Sequence, residues 1–153
     1  MLESLHSLTG AVIAYKIGNP ALSLPLAFIS HFVIDLFPHW NPGINHEKKK
    51  LGYLSPQTTS LIFLDCLLGL FFSLYLSLKV LPNISHALFI LAGSFLAILP
   101  DLAEAPFFFL NSQTPFLKKL IKFQSRYQWS VPLWPGIILQ VVYGFLLFCL
   151  LAR

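Results

Sequence analysis

Ile29-Ser30-His31-Phe32-Val33-Ile34-Asp35-Leu36-Phe37-Pro38-His39-Trp40 decides how this chain is read. The stretch closes an apolar run, yet it carries an imidazole and a carboxylate four residues apart. On a helix, positions i and i+4 share a face, so His31 and Asp35 project together. Pro38 has no amide hydrogen and pushes Phe37 towards extended backbone, so the helix should stop near Phe37. His39 and Trp40 then fall just past its end. Ionisable groups inside an apolar helix are costly, and by default they mark a functional site. The stretch therefore reads as half of a metal site. The plainer alternative is that His31 and Asp35 pair with each other or with a neighbouring helix.

Composition sets the solvent in which that helix lives. Of 153 residues, 56% are hydrophobic and only 10% are charged, with a mean hydropathy of +0.73. Soluble domains are about a quarter charged. This chain lacks the polar surface to cover itself in water, so it reads as a single helical membrane domain, 1–153. The net charge of +4 is scattered and no basic-aromatic ladder accompanies it, which argues against nucleic acid. Cys66 and Cys149 sit in long apolar runs without a spacing motif and read as small buried hydrophobes. Glu3 and His6 stand where a signal peptide would carry Lys or Arg, so the N-terminal segment is expected to be retained.

Along the chain, residues 4–18 predict a short helix, roughly 22 Å long against a hydrocarbon core of about 30 Å. Gly10, Ala14 and Gly18 recur at intervals of four, the small-residue pattern of close membrane packing. After the Asn19-Pro20 turn, a second helix runs from about Ala21 to Phe37, with Pro25 in its first turns. Residues 38–57 read as a polar loop containing Lys48, Lys49 and Lys50. Thr58 to Leu81 is the clearest span. The next helix, with Ser85 as its expected cap, runs to about Leu99 and has Gly93 and Ala97 as a small-residue face. Pro100 is expected to interrupt it. Residues 116–129 show an amphipathic period, with Phe116, Leu120, Phe123 and Tyr127 on one face and Lys118, Lys122 and Arg126 on another. Such a helix lies on a membrane surface and attracts anionic headgroups, here through Lys118, Lys119, Lys122 and Arg126. Trp134 to Ala152 forms the last span. The expected fold is an all-α integral membrane protein with about four to five transmembrane or membrane-embedded helices plus one interfacial amphipathic helix.

Charge asymmetry orients these helices. Loops 38–57 and 101–132 share a side and hold Lys48, Lys49, Lys50, Lys118, Lys119, Lys122 and Arg126. Lys16, Lys79 and Arg153 fall on the other side. The positive-inside rule then makes the two loops cytoplasmic, in a multi-pass protein of the inner membrane. Trp40, Trp129 and Trp134 fall at the same interface, as an aromatic belt would.

This orientation gathers the ionisable groups. His31 lies seven residues before Pro38, roughly 10 Å below the interface. Asp65 lies seven residues after Thr58, at the same depth. Asp35, Asp101, Glu104 and His6 fall in the same slab. Imidazoles mixed with carboxylates suit zinc, manganese or iron rather than calcium or magnesium. The expected ligands are His6, His31, Asp35 and Asp101, which requires His31 and Asp101 to face each other. His39, Asp65 and Glu104 are candidates for catalysis, as acid, base or orienting groups, or for further ligands. For Asp65 the bland reading is an interhelical hydrogen bond, and for His39 an interfacial histidine beside Trp40. His46 and His86 read as structural.

Leu5-His6-Ser7-Leu8-Thr9-Gly10, then Ser30-His31 with Asp35, Pro38, His39 and Trp40, then Leu99-Pro100-Asp101 with Glu104 resembles the membrane-bound metal-dependent hydrolases of the LexA-regulated inner-membrane type. The motifs are also similar to those of the zinc-dependent phospholipase C group. The resemblance covers roughly residues 1–110. It implies metal binding by His6, His31, Asp35 and Asp101, and a hydrolytic activity. The chain has no histidine after His86, fewer than the phospholipase C type of site uses, so one or two ions are expected. Two functional classes follow. The first is a metal-dependent hydrolase of an ester or phosphodiester, with a lipid headgroup as the natural substrate class. The second is a non-catalytic protein that moves protons or metal ions through buried His and Asp, or holds a structural metal.

Overall fold

The computed structural model describes residues 1–152; Arg153, counted above for charge asymmetry, lies outside them. Seven helices make up 80% of the chain, and no strand occurs among the described residues. In order they are α1 (Glu3–Ile17), α2 (Pro20–Asp35), α3 (Ile44–Leu51), α4 (Pro56–Lys79), α5 (Ile84–Phe109), α6 (Pro115–Tyr127) and α7 (Leu133–Leu151). Three of them, α4, α5 and α7, are long and apolar enough to cross a membrane, which fits a membrane protein.

The boundaries follow local chemistry. Ser55 and Thr114 accept from the amides that open α4 and α6, and each is followed by proline at the first helical position, where a missing N–H costs nothing. Asn19 does the same for α2, again before a proline. Gly18 closes α1 in the left-handed conformation, at φ 65°, which glycine adopts without strain.

α1 is the hub, packed against α2, α4, α5 and α7. It is small and polar for a buried helix: Ser4, His6, Ser7, Thr9, Gly10, Ala11 and Ala14 are all buried. The large apolar side chains point outward instead, among them Phe63 and Leu64 on α4, Leu88 on α5, and Val141 and Phe145 on α7. This inverted arrangement is what lipid selects, because greasy surfaces gain nothing from leaving it. Gly10 and Gly93 bring α1 and α5 into backbone contact. A Cβ at Gly93 would lie 2.9 Å from Ala14 Cβ, and one at Gly10 would lie 2.7 Å from Ala97 Cβ.

Several expectations need correction. α5 does not end at Leu99 but continues through Pro100 and Pro106 to Phe109, so much of 101–132 is helical. Proline is tolerated within membrane helices because neighbours re-satisfy the freed backbone. Pro100 frees the Leu96 carbonyl, and next to it the Ala97 and Pro100 carbonyls accept from the His31 and Gln124 side chains. Asn83 rather than Ser85 caps α5, and α2 stops at Asp35 rather than Phe37. The 38–57 loop contains α3, whose Lys48 is buried and donates to the Phe108 carbonyl at 2.8 Å and to Asn111. That lysine anchors α3 to the end of α5. Cys66 and Cys149 are free thiols, but exposed rather than buried, since they lie on the outer faces of apolar helices. α6 packs through Leu117 and Gln124, leaving Phe116, Phe123 and Tyr127 exposed.

Candidate metal centre

Three imidazoles and two carboxylates from three helices and a hook meet at one end of the bundle. His6 projects from the first turns of α1, His31 and Asp35 from the last turns of α2, and Asp101 from α5 just after Pro100. His39 follows α2 on a hook at Pro38. That hook is pinned to the segment after α6: His39 N donates to the Trp129 carbonyl at 3.1 Å, and Val131 N to the His39 carbonyl at 2.9 Å.

Asp35 is the centre of the cluster. Its Oδ1 lies 3.3 Å from His6 Nε2 and 3.7 Å from His39 Nε2, and its Oδ2 lies 3.8 Å from His31 Nε2. His31 Nε2 is also 3.6 Å from Asp101 Oδ1, so the two residues face each other as expected. The His6 and His31 rings stack, with centroids 4.2 Å apart. All three histidines are fully buried. The Met1 ammonium lies 2.6 Å from Asp35 Oδ1, so this carboxylate already draws a cation.

The hydrogen bonding of the rings is incomplete in an informative way. His31 Nδ1 donates to the Ala97 carbonyl at 2.9 Å, and His39 Nδ1 to the Phe37 carbonyl at 2.8 Å. A carbonyl only accepts, so each Nδ1 carries the proton and the lone pair of a neutral ring sits on Nε2. This is how protein metal sites fix a ligand histidine. Burial holds the His39 imidazole below its usual pKa, which favours the neutral, ligating form. His39 Nε2 and both His6 nitrogens are buried without a hydrogen-bond partner. Although His6 is close to Asp35, it lies off the line of a hydrogen bond. Buried polar atoms left unpaired are costly, and a cation among them would remove the cost.

His6, His31 and Asp101 are placed so that they could bind a metal ion. Ligand atoms of His6, His31 and Asp101 all lie within 4.8 Å of one another. Bonds of 2.0–2.2 Å put tetrahedral zinc ligands roughly 3.3–3.5 Å apart, so closing the set takes side-chain shifts of about 1 Å. Nitrogen and oxygen donors together suit zinc, manganese or iron.

The remaining candidates divide. Asp65 accepts the Glu3 and Ser4 amides, at 2.5 and 3.3 Å. Glu104 is buried and accepts from Gln124 Nε2 at 2.5 Å. His86 bonds the Ala14 carbonyl at 3.1 Å, a structural role. Beside Asp101 opens a pocket of ≈180 Å³, with Glu3, Asp65, Asp101 and Glu104 in its lining and Ile62, Ile98 and Phe108 among its apolar residues. Four of the chain's six acidic residues therefore face one cavity.

Sequence reasoning missed Glu3, Gln124 and Gln128. Gln128 donates to Asp35 Oδ2 at 3.3 Å. In the sequence Glu3 counts only as a charge against a signal peptide. Gln124 had a signal: it lies seven residues after Leu117, on the same helix face. Comparison with family models, curated proteins and solved structures finds no match.

Proposed function

We propose that this protein is a metal-dependent hydrolase of the inner membrane acting on an ester or phosphodiester, with a lipid headgroup as the substrate class. One observation carries the reading: His6, His31 and His39 turn their Nε2 atoms on Asp35 and Asp101 in a buried cluster, and the His6 and His39 Nε2 atoms have no hydrogen-bond partner. His6, His31, Asp35 and Asp101 hold one or two ions, zinc by preference and manganese or iron otherwise, with His39 as a further donor. A divalent ion there supplies Lewis acidity towards a carbonyl or phosphoryl oxygen and towards water. Glu104 lines the adjoining pocket and is the group placed to take a proton from water and return it to the leaving oxygen.

The pocket supports a lipid substrate. Its apolar residues on α4 and α5 suit an acyl chain, while the acidic side needs bound cations before it admits an anionic headgroup. On this reading α1 and α2 join α4, α5 and α7 as the four to five embedded helices. The 38–57 and 101–132 segments face the cytoplasm, and α6 lies on the bilayer surface. Lys118, Lys119, Lys122 and Arg126 are all exposed, as contact with anionic lipid requires.

The test is metal analysis of the purified protein together with turnover of ester and phosphodiester lipids. One or two ions per chain, lost in His31→Ala and Asp35→Asn along with hydrolysis, is the expected result. Metal without turnover points to a structural staple, and a metal-free protein sinks the proposal.

A second reading rests on a separate observation. Ser7, Ser73 and Ser94 form a closed hydroxyl cluster between α1, α4 and α5, with Oγ separations of 3.0, 2.7 and 2.5 Å. Buried His and Asp inside a bundle suit proton or metal-ion movement, and these hydroxyls add polar groups beside Glu3 in a second pocket. Flux into liposomes that disappears in Ser73→Ala would favour transport over hydrolysis.

A further inference from the structure

Gln124 is the one α6 side chain that reaches the cluster, and its surroundings fix which way its amide points. The amide nitrogen faces the Pro100 carbonyl at 3.2 Å and Glu104 Oε1 at 2.5 Å. The reversed amide would set an oxygen against both. Gln124 Oε1 therefore faces His31 Nε2, 3.0 Å away. His31 Nδ1 already carries its proton towards the Ala97 carbonyl, so in the neutral ring Nε2 bears a lone pair. With His31 neutral, as a metal ligand must be, two acceptor atoms confront each other inside a buried site, with no hydrogen between them. A confrontation of that kind is relieved by a cation that both atoms bind.

We propose that Gln124 is a further ligand of the metal centre, donating its carboxamide oxygen beside His31, with Glu104 as the positioning residue that orients the amide. The inference rests on the metal reading above and adds to it a ligand from the amphipathic helix. The spacing supports it. Two donors bound at about 2.1 Å and at right angles lie roughly 3.0 Å apart, as in sites of more than four ligands. The Gln124–His31 separation matches that edge. A neutral oxygen donor also suits a centre already supplied with two carboxylates, because it adds coordination without adding charge. A metal-bound Gln124 would tie α6, and with it the basic face of that helix, directly to the site.

The experiment uses the full-length protein in detergent, stripped with a chelator and titrated with Zn²⁺ and with Co²⁺, whose visible spectrum reports coordination number. Gln124→Met keeps the shape and removes the oxygen; Gln124→Asn keeps the amide but withdraws its oxygen by one methylene. Gln124→Met should weaken binding on the order of 10–100-fold and shift the Co²⁺ spectrum towards fewer ligands, and Gln124→Asn should do the same. Wild-type affinity and spectrum in Gln124→Met would overturn the proposal and leave the metal centre standing, with Gln124 accepting a hydrogen bond from a protonated His31. If Gln124→Met does not fold, Gln124→Asn decides, and an affinity and spectrum equal to wild type overturn the proposal. Wild-type protein that binds neither ion overturns both readings.

Discussion

Asp65 caps α1 from a distance: its carboxylate, on α4, accepts the Glu3 and Ser4 amides that open the helix. Leu2 precedes α1 and offers no capping side chain. The helix that carries His6 is therefore set in place by an acid from its neighbour. Asp65→Ala strips two part-buried amides of their acceptor and should lower stability by about 1–3 kcal/mol, read by denaturation in detergent. Asp65→Asn keeps one acceptor oxygen and should lose less. An Asp65→Asn protein with wild-type stability and metal content but no turnover would instead give Asp65 a chemical role.

Metal should stabilise the fold, because its ligands come from α1, α2 and α5. Saturation at 100 times Kd adds about 2.7 kcal/mol, seen as a higher Tm that a chelator reverses. His31→Ala should abolish this increment. His39→Ala should weaken binding roughly 10–100-fold and so retain only about 0.4–1.4 kcal/mol of it at the same metal concentration, since His39 sits on a hook beside the ligands found within 4.8 Å of one another. An equal Tm with and without metal in the wild type would remove the metal from the account of the fold.

The parts of this site legible in the sequence are those set by local spacing. His31 and Asp35 share a face because a helix must place i and i+4 together, and Gly10, Ala14, Gly93 and Ala97 announced themselves as small-residue faces. The meeting of His31 with Asp101 is expected from the common depth that charge asymmetry assigns them, and from the resemblance. What stayed hidden depends on tertiary contact. Pro100 reads as a stop, because its local cost is plain and the side-chain donors that satisfy the neighbouring carbonyls lie on α2 and α6. Gln124 is uncharged and sits between two more conspicuous faces of α6. Lys48 reads as one of three surface lysines, and only the Phe108 carbonyl shows it to be an anchor.

His39 makes apoprotein stability depend on pH. Burial lowers its pKa in the folded chain, whereas the unfolded chain protonates near the ordinary value of about 6.5. Below that pH the unfolded state binds more protons. Stability therefore falls as pH drops through about 6.5, and levels off below the folded-state pKa. His39→Gln removes this contribution, so its loss of Tm between pH of about 7.5 and 5.5 should be smaller than the wild type's. Equal losses would show that His39 takes up its proton without unfolding.

The contact between α1 and α5 governs the metal centre as well as the packing. A Cβ at Gly10 would fall 2.7 Å from Ala97 Cβ and closer still to the Gly93 carbonyl oxygen, so neither neighbour is a flexible side-chain end. Gly10→Ala must push the helices apart, at a cost of about 1–3 kcal/mol from overpacking. Ala97 also supplies the carbonyl that holds His31 Nδ1, and Gly10 lies one turn from His6. Moving the two helices apart therefore separates His6 on α1 from Asp101 on α5. Metal affinity should fall together with stability in Gly10→Ala. Gly144→Ala is the contrast, because its Cβ would meet only Leu5 Cδ2, at 3.3 Å, a side-chain end that can turn aside. It should change both quantities little. If Gly10→Ala loses stability but binds metal as tightly as Gly144→Ala, the site is held by α2 and its hook rather than by the α1–α5 contact.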